Sequence, residues 1–199
     1  MLNTLLGIFK CMEKIINSGN INDYTRPDDI NIILAENSEL VIKGTHYFDK
    51  GAPILFRSSL IQLKEHSRLI IEDNFKFYYG ADILIFEGGI LELGSNSFIN
   101  SYCEIRCKKR IKVGKDCAIG RHFCALDSDF HKINGVEHAS EIIIGNHVWI
   151  AQNVTILKGV KVGDGAIIGA GSIVTKDVPS RCMVVGNPAR IIKENVEWE

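Results

Sequence analysis

The sequence predicts an all-β fold, a solenoid of short parallel strands, and three observations predict it. Ile144, Ile150, Ile156, Val162, Ile168 and Val174 fall six residues apart without a slip. The residues two places before them (Ile142, Val148, Val154, Val160, Ala166, Ser172) are apolar or small, and those one place after (Gly145, Ala151, Leu157, Gly163, Gly169, Thr175) are mostly small. Six unbroken periods fit neither a 3.6-residue helix nor an open sheet of hairpins. They fit a coil in which each hexad supplies one strand and one corner. Side chains alternate along a strand, so the beat residue and the one two before it point inward. Glycine at the corner permits backbone angles that a Cβ penalises.

From the N-terminus, Leu2, Leu5, Leu6, Phe9, Met12 and Ile16 recur at helical spacing, with Lys10, Glu13 and Lys14 on much of the other face. This predicts an amphipathic α-helix packed on the solenoid end. Neither an early basic segment nor a small-residue cleavage site marks a signal peptide, and weak membrane-surface association is the lesser alternative. Residues 19–29 are polar and turn-rich and close on Pro27 and two aspartates, which makes 1–29 a helix plus connector. The solenoid domain then runs over 30–186, and 187–199 form a C-terminal tail. Two-residue alternation begins with Leu40 and Ile42 and continues through Ile61 and Leu63, Ile83 and Ile85, and Leu91 and Leu93. The beat passes Ile85, Leu93, Ile99, Ile105, Val113 and Ile119 in steps of six or eight, the longer steps placing extra residues at a corner. After Ile119 regular hexads resume only at Ile144, so 126–141 is an excursion from otherwise regular coils. Long loops on a rigid scaffold are where function concentrates.

At 199 residues the chain suits one domain with a real core. A formal net charge of −1 provides no electrostatic footprint for nucleic acid or an acidic membrane surface. The basic run Lys108, Lys109, Arg110 and Lys112 reads as a solvated edge. Cys11, Cys103, Cys107, Cys117, Cys124 and Cys182 form no C-x-x-C pair, so neither a zinc ribbon nor a thioredoxin-like motif is indicated. Cys103 and Cys117 fall on small inward positions, where a thiol acts as a small hydrophobe. A reduced, cytoplasmic location is the default. No stretch reaches the roughly 18 apolar residues that span a bilayer.

Two features point to function. Ile143, Trp149, Thr155, Lys161, Ile167 and Ile173 lie between inward positions and face out, and four of these six are large and apolar. An apolar flank on a soluble solenoid predicts a partner subunit or a ligand groove. The excursion places Asp127 and Asp129 ahead of His131, with His138 behind. A histidine near its ordinary pKa takes a proton from a hydroxyl at neutral pH, and better if a carboxylate holds its other nitrogen. Spacing does not choose between Asp127 and Asp129. His138 reads as solvent-exposed, His122 as a corner residue, and His147 as either structural or functional.

The run Ile144-Gly145-Asn146-His147-Val148-Trp149-Ile150-Ala151, the segment from Val162 to Pro179, and Gly186-Asn187-Pro188-Ala189-Arg190 resemble the hexapeptide-repeat acetyltransferases. The likeness is greatest to the branch of polysaccharide, galactoside and maltose O-acetyltransferases, and it covers residues 98–193. It implies a left-handed parallel β-helix of triangular section, a homotrimer with sites between neighbouring subunits, and acetyl-CoA as cosubstrate without a metal. It further implies His131 as catalytic base, which Asp127 or Asp129 lies close enough in sequence to support, and Asn100 at the acceptor. Trp149, Ala151, Gln152 and Ala170 match positions along the coenzyme; Thr175, Lys176, Arg190 and Lys193 match those near its nucleotide end. Ala151 stands where glycine is commoner, and Gln152 replaces a smaller polar residue. The acceptor implied is a carbohydrate hydroxyl, on a bacterial capsular or lipopolysaccharide glycan or its precursor.

Three rivals share the solenoid. Acetylation of an amine on an amino sugar needs the same coenzyme groove. A carbonic anhydrase-like zinc enzyme needs three histidines, and Ile150-Ala151-Gln152-Asn153 lacks one where that family places it. A scaffold without catalysis would use the flank for assembly alone.

Overall fold

The computed structural model describes residues 15–17, 30–43, 47–48 and 59–199. Every regular element among them is a strand, and the chain winds round three faces in strict rotation. Face one begins at Ile30–Leu34 and ends at Ile173–Val174, with seven strands. Face two, also seven-stranded, runs from Ile15–Asn17 to Lys161–Val162. Face three has eight strands, from Tyr47–Phe48 to the terminal pair Cys182–Gly186 and Ala189–Glu194. Neighbours on each face pair in parallel, except in that terminal hairpin. The result is a left-handed parallel β-helix of three sides.

The inward positions behave as the beat requires. Ile144, Ile150, Ile156, Val162, Ile168 and Val174 are no more than 2% exposed, and their partners two residues earlier are equally buried. The looser series Ile85, Leu93, Ile99, Ile105, Val113 and Ile119 is buried as completely. Extra residues are therefore absorbed at corners without disturbing the core. Fully burying one such side chain is worth about 2 kcal/mol, and each coil contributes several.

Corners differ from expectation in one respect. The left-handed backbone is carried by Asn74, Asn96, Asp116, His147 and Arg181 where face two turns into face three, at φ between 52° and 58°. Asparagine and aspartate tolerate this region better than most residues. The glycines after the beat serve close approach instead. A Cβ on Gly145 would sit 2.3 Å from Asp164 Oδ1, and one on Gly114 would sit 2.3 Å from the Gly145 carbonyl oxygen. Along this corner Asn74 Nδ2 donates to Asn96 Oδ1 at 2.9 Å, and Asn96 Nδ2 to Asp116 Oδ1 at 3.3 Å.

Two further expectations change. Leu2, Leu5, Leu6, Phe9 and Met12, the body of the N-terminal helix, and the connector 19–29 lie outside the described residues. Ile16, its last apolar position, falls in the strand Ile15–Asn17, in register with Val41. The outward residues Ile143, Trp149, Thr155, Lys161, Ile167 and Ile173 are not one flank either. Each hexad advances the chain by one face, so Ile143 and Lys161 share face two, Trp149 and Ile167 face three, and Thr155 and Ile173 face one. Ile167 is itself only 6% exposed.

No helix among the described residues is long and apolar enough to cross a membrane. Cys103, Cys107, Cys117, Cys124 and Cys182 are free thiols. Burial pushes Cys103 up to about 12 and Cys124 up to about 11. The thiolate is the reactive form, so at pH 8 a thiol reagent should label Cys124, the least buried, before Cys103 and Cys107. Mass spectrometry of labelled peptides measures this, and Cys103 and Cys107 should react only on unfolding.

Candidate active site

The excursion is a β-hairpin. Ser128–Ile133 pairs antiparallel with Val136–Ala139, and Asn134 and Gly135 at the tip both have positive φ, 52° and 79°. An Asn-Gly pair between two runs is the usual signature of this turn, so the sequence did contain the hairpin. Its base leaves face one after Cys124–Leu126 and returns to face two at Ile142–Ile144. It is tied to that corner by a ring contact of Phe130 with Phe86 at 5.0 Å, by an ion pair of Lys108 with Glu137, and by Lys158 Nζ on Asp129 at 2.6 Å.

His131 is exposed on the outgoing strand. The residue before it, Phe130, adopts φ 57°, and the hairpin register shifts between Ser128 and Lys132. Ser128 Oγ accepts the Phe130 N–H at 3.0 Å and stabilises this kink. Bulges beside reactive groups re-aim a side chain, and here the strained residue is next to the candidate base.

Neither aspartate holds the histidine. Asp127 is fully buried, and its carboxylate accepts the backbone N–H groups of Lys108, Lys109 and Arg110 at 2.7, 2.7 and 2.8 Å. Burial pushes its carboxyl above the ordinary range, and these three amides pull the other way. Asp127 thus closes the corner beneath the hairpin. Asp129 is committed to Lys158, 29 residues away, a partner no local pattern could indicate.

The other candidates separate into two groups on opposite sides of the prism. Thr175 and Lys176 follow the face-one strand Ile173–Val174 and sit, exposed, above the hairpin at the corner between faces one and two. Asn100, Trp149, Ala151, Gln152 and Ala170 lie on face three or on its corner with face one. Arg190 and Lys193 are exposed on the terminal strand of face three. In a three-sided prism the corner between faces one and two is opposite face three. Within one copy His131 thus leaves from one corner while Trp149 lies on the face opposite that corner.

On face three the pairing fixes two outward rows. Phe98, Ala118, Trp149 and Ile167 are in register, and two residues on the chain passes Asn100, Gly120, Ala151 and Gly169. The second row is small for three coils, and a Cβ on Gly120 would meet the Ala151 carbonyl carbon and the Gln152 nitrogen at 2.7 Å. The Ala151 N–H donates to the Ile168 carbonyl at 2.9 Å, so it belongs to the ladder. The Gln152 N–H makes no hydrogen bond among the described residues. Asn100 Oδ1 accepts from the Ser101 N–H and hydroxyl at 2.7 and 3.3 Å, while its Nδ2 has no partner among the described residues.

Sequence reasoning gave Trp198, in the tail, no role. Trp198 stacks on His147 with ring centroids 4.2 Å apart and 5° between planes, and its Nε1 donates to the His147 carbonyl at 2.9 Å. It lies 6.2 Å from Trp149 and roofs an open cavity of about 600 Å³ lined by Asn146, Asp164, Arg181 and Glu199 among others. Neither His131 nor Ala151 borders that cavity. An aromatic in an acidic tail was the available signal. His138 is exposed, and His122 stacks on Tyr102 at a corner.

Replacing Asp127 with Ala leaves three buried-corner amides without their acceptor. The expected loss is about 3 kcal/mol, or about 10 °C in Tm for a chain of this size, read by thermal unfolding. Asp127→Asn should recover only part of it, since an amide presents one acceptor oxygen.

Residues 141–176 match the family model described as bacterial transferase hexapeptide (six repeats). The chain is similar to the polysialic acid O-acetyltransferase of Escherichia coli O1:K1 / APEC, 44% identical over 59% of this chain and 40% of that protein. It is also 41% identical to the polysialic acid O-acetyltransferase of Neisseria meningitidis, over 50% of this chain and 49% of the relative. It thus spans about half the length of these curated relatives or less. Among solved structures, the polySia-specific acetyltransferase NeuO superposes with a TM-score of 0.74 at 29% identity, covering 94% of this chain and 82% of that one. The repeat, the three-sided coil and these likenesses agree: the chain belongs to the hexapeptide-repeat acetyltransferase family.

Proposed function

We propose that the protein is an acetyl-CoA-dependent O-acetyltransferase acting on a hydroxyl of a bacterial surface glycan or its precursor. The observation that carries this reading is the division of the site residues between the hairpin corner and face three. The two groups meet only when the hairpin of one copy lies against face three of the next. A closed ring of three copies satisfies every such contact, so the protein is a homotrimer with a site at each boundary. The relatives named for polysialic acid acetylation support a polymeric, capsular acceptor.

Acetyl-CoA supplies the activated acyl group as a thioester. The half-buried methyl of Ala151, with Gln152 and Ala170 exposed beside it, makes a small-residue corner against which a narrow chain can lie. Lys176, Arg190 and Lys193 make no ion pair among the described residues and are available to phosphates. His131 takes the proton of the acceptor hydroxyl as that oxygen bonds to the thioester carbon. The negative charge moves to the carbonyl oxygen, where the Gln152 N–H is the available donor; one such donor is worth about 3 kcal/mol. The carbon–sulfur bond then breaks, and His131 returns the proton to the leaving thiolate. With neither aspartate holding His131 within one copy, the imidazole is oriented by the Phe130 kink and by its neighbour across the boundary. A cytoplasmic location follows from the cosubstrate and accords with buried free thiols.

Thiol release from acetyl-CoA across a panel of glycans and amino sugars tests the reading. Hydroxyl acceptors should stimulate release and amines should not. His131→Ala should lower turnover at least a hundredfold while leaving the trimer and coenzyme binding intact. Near-native turnover in that variant would remove His131 from the role of base.

A further inference from the structure

Face three carries a depression one coil wide. Strands pair in parallel so that Ala118 stands between Phe98 on the coil below and Trp149 on the coil above. Two residues along, Gly120 stands between Asn100 and Ala151. The middle coil therefore presents only the Ala118 methyl where its neighbours present an aromatic ring each, and Gly120 beside it packs against the Ala151 and Gln152 backbone. Neighbouring strands are about 4.8 Å apart, so the two ring-bearing strands are separated by about 10 Å. The lower wall is braced, since Tyr78 packs edge-on to Phe98 at 6.1 Å. The upper wall is open, with Trp149 42% exposed.

We infer that this slot holds one sugar ring of the acceptor, and that Ala118 sets its depth and so the size of acceptor admitted. A pyranose has the required shape. Its C–H faces pack on aromatic rings, and its edge carries hydroxyls for the Asn100 Nδ2, which has no partner among the described residues. A flat ring between two aromatic walls fills the gap, which a linear chain would leave partly empty. The position is consistent with transfer, because the slot opens beside Ala151 and Gln152, where the thioester would lie. Trp149 divides the two ligands, with the sugar on its lower side and the coenzyme on its upper. This rests on the acetyltransferase reading and adds to it a specificity-determining residue.

The test is Ala118→Leu, with Ala118→Thr as a smaller step that suits a strand. Each would be compared with the wild-type chain in thiol-release kinetics with the glycan that the panel identifies. Coenzyme affinity would be measured separately by calorimetry with CoA. Ala118→Leu should raise KM for the glycan at least tenfold, with Thr intermediate, while the affinity for CoA and the Tm stay unchanged. An active wild-type chain with an unchanged acceptor KM in both variants overturns the slot and leaves the acetyltransferase reading standing. Equal losses of CoA affinity and acceptor KM also overturn it, since the residue would then serve the groove generally. A wild-type chain that releases no thiol with any glycan overturns the acetyltransferase reading, and the slot with it.

Discussion

Each hexad of the regular coils turns two side chains inward, and the triangular interior accepts only those. That limit governs the rest of the molecule. It fixes the six-residue beat, since a strand plus a corner must return the next apolar pair to the axis. It also sends every outward residue to a face determined by its place in the count. Trp149 and Ile167 share face three because three hexads separate them, and Ile143 belongs elsewhere because one hexad separates it from Trp149. The placement of functional groups is thus a consequence of core packing, and a single inserted residue within a strand would misdirect all that follow.

The same count explains how the candidate site is divided. The hairpin leaves at the corner between faces one and two, and its ties to Phe86, Lys108 and Lys158 keep it there. Trp149, Asn100 and Ala151 occupy the face opposite. A monomer built this way has two half-sites pointing apart. On the function proposed above, assembly is part of the chemistry, and the rigidity of the coil supplies the precision that loops alone would lack.

Much of the fold was legible from residue spacing, because the hydrophobic period is local and exact. Ile85 through Ile119 could be placed inward even where steps lengthened to eight, and all are buried. The candidate site could be proposed from sequence only where its signal was local. His131 could be singled out by the excursion and its acidic neighbours, but what the aspartates do could not. Asp127 reaches back 17 to 19 residues to cap a corner, and Asp129 reaches forward to Lys158. Those partners are neighbours in the stack of coils, and separation in sequence hides them. The apolar flank failed for a related reason, since a repeat of six was treated as a repeat of one face when three hexads make a full turn. The hairpin was within reach, because Asn134-Gly135 between two extended runs is a turn with its own chemistry.

The central claim is that a working site takes its imidazole from one chain and its groove from another. Co-expressing His131→Ala with Ala151→Trp, the second of which fills the groove, tests it most directly. Mixed assemblies would contain some sites with both native halves. Random mixing should restore about a quarter of the wild-type rate, although each variant alone is inactive. Mixed assemblies no more active than the two variants assayed separately would put both halves on the same chain and contradict the account.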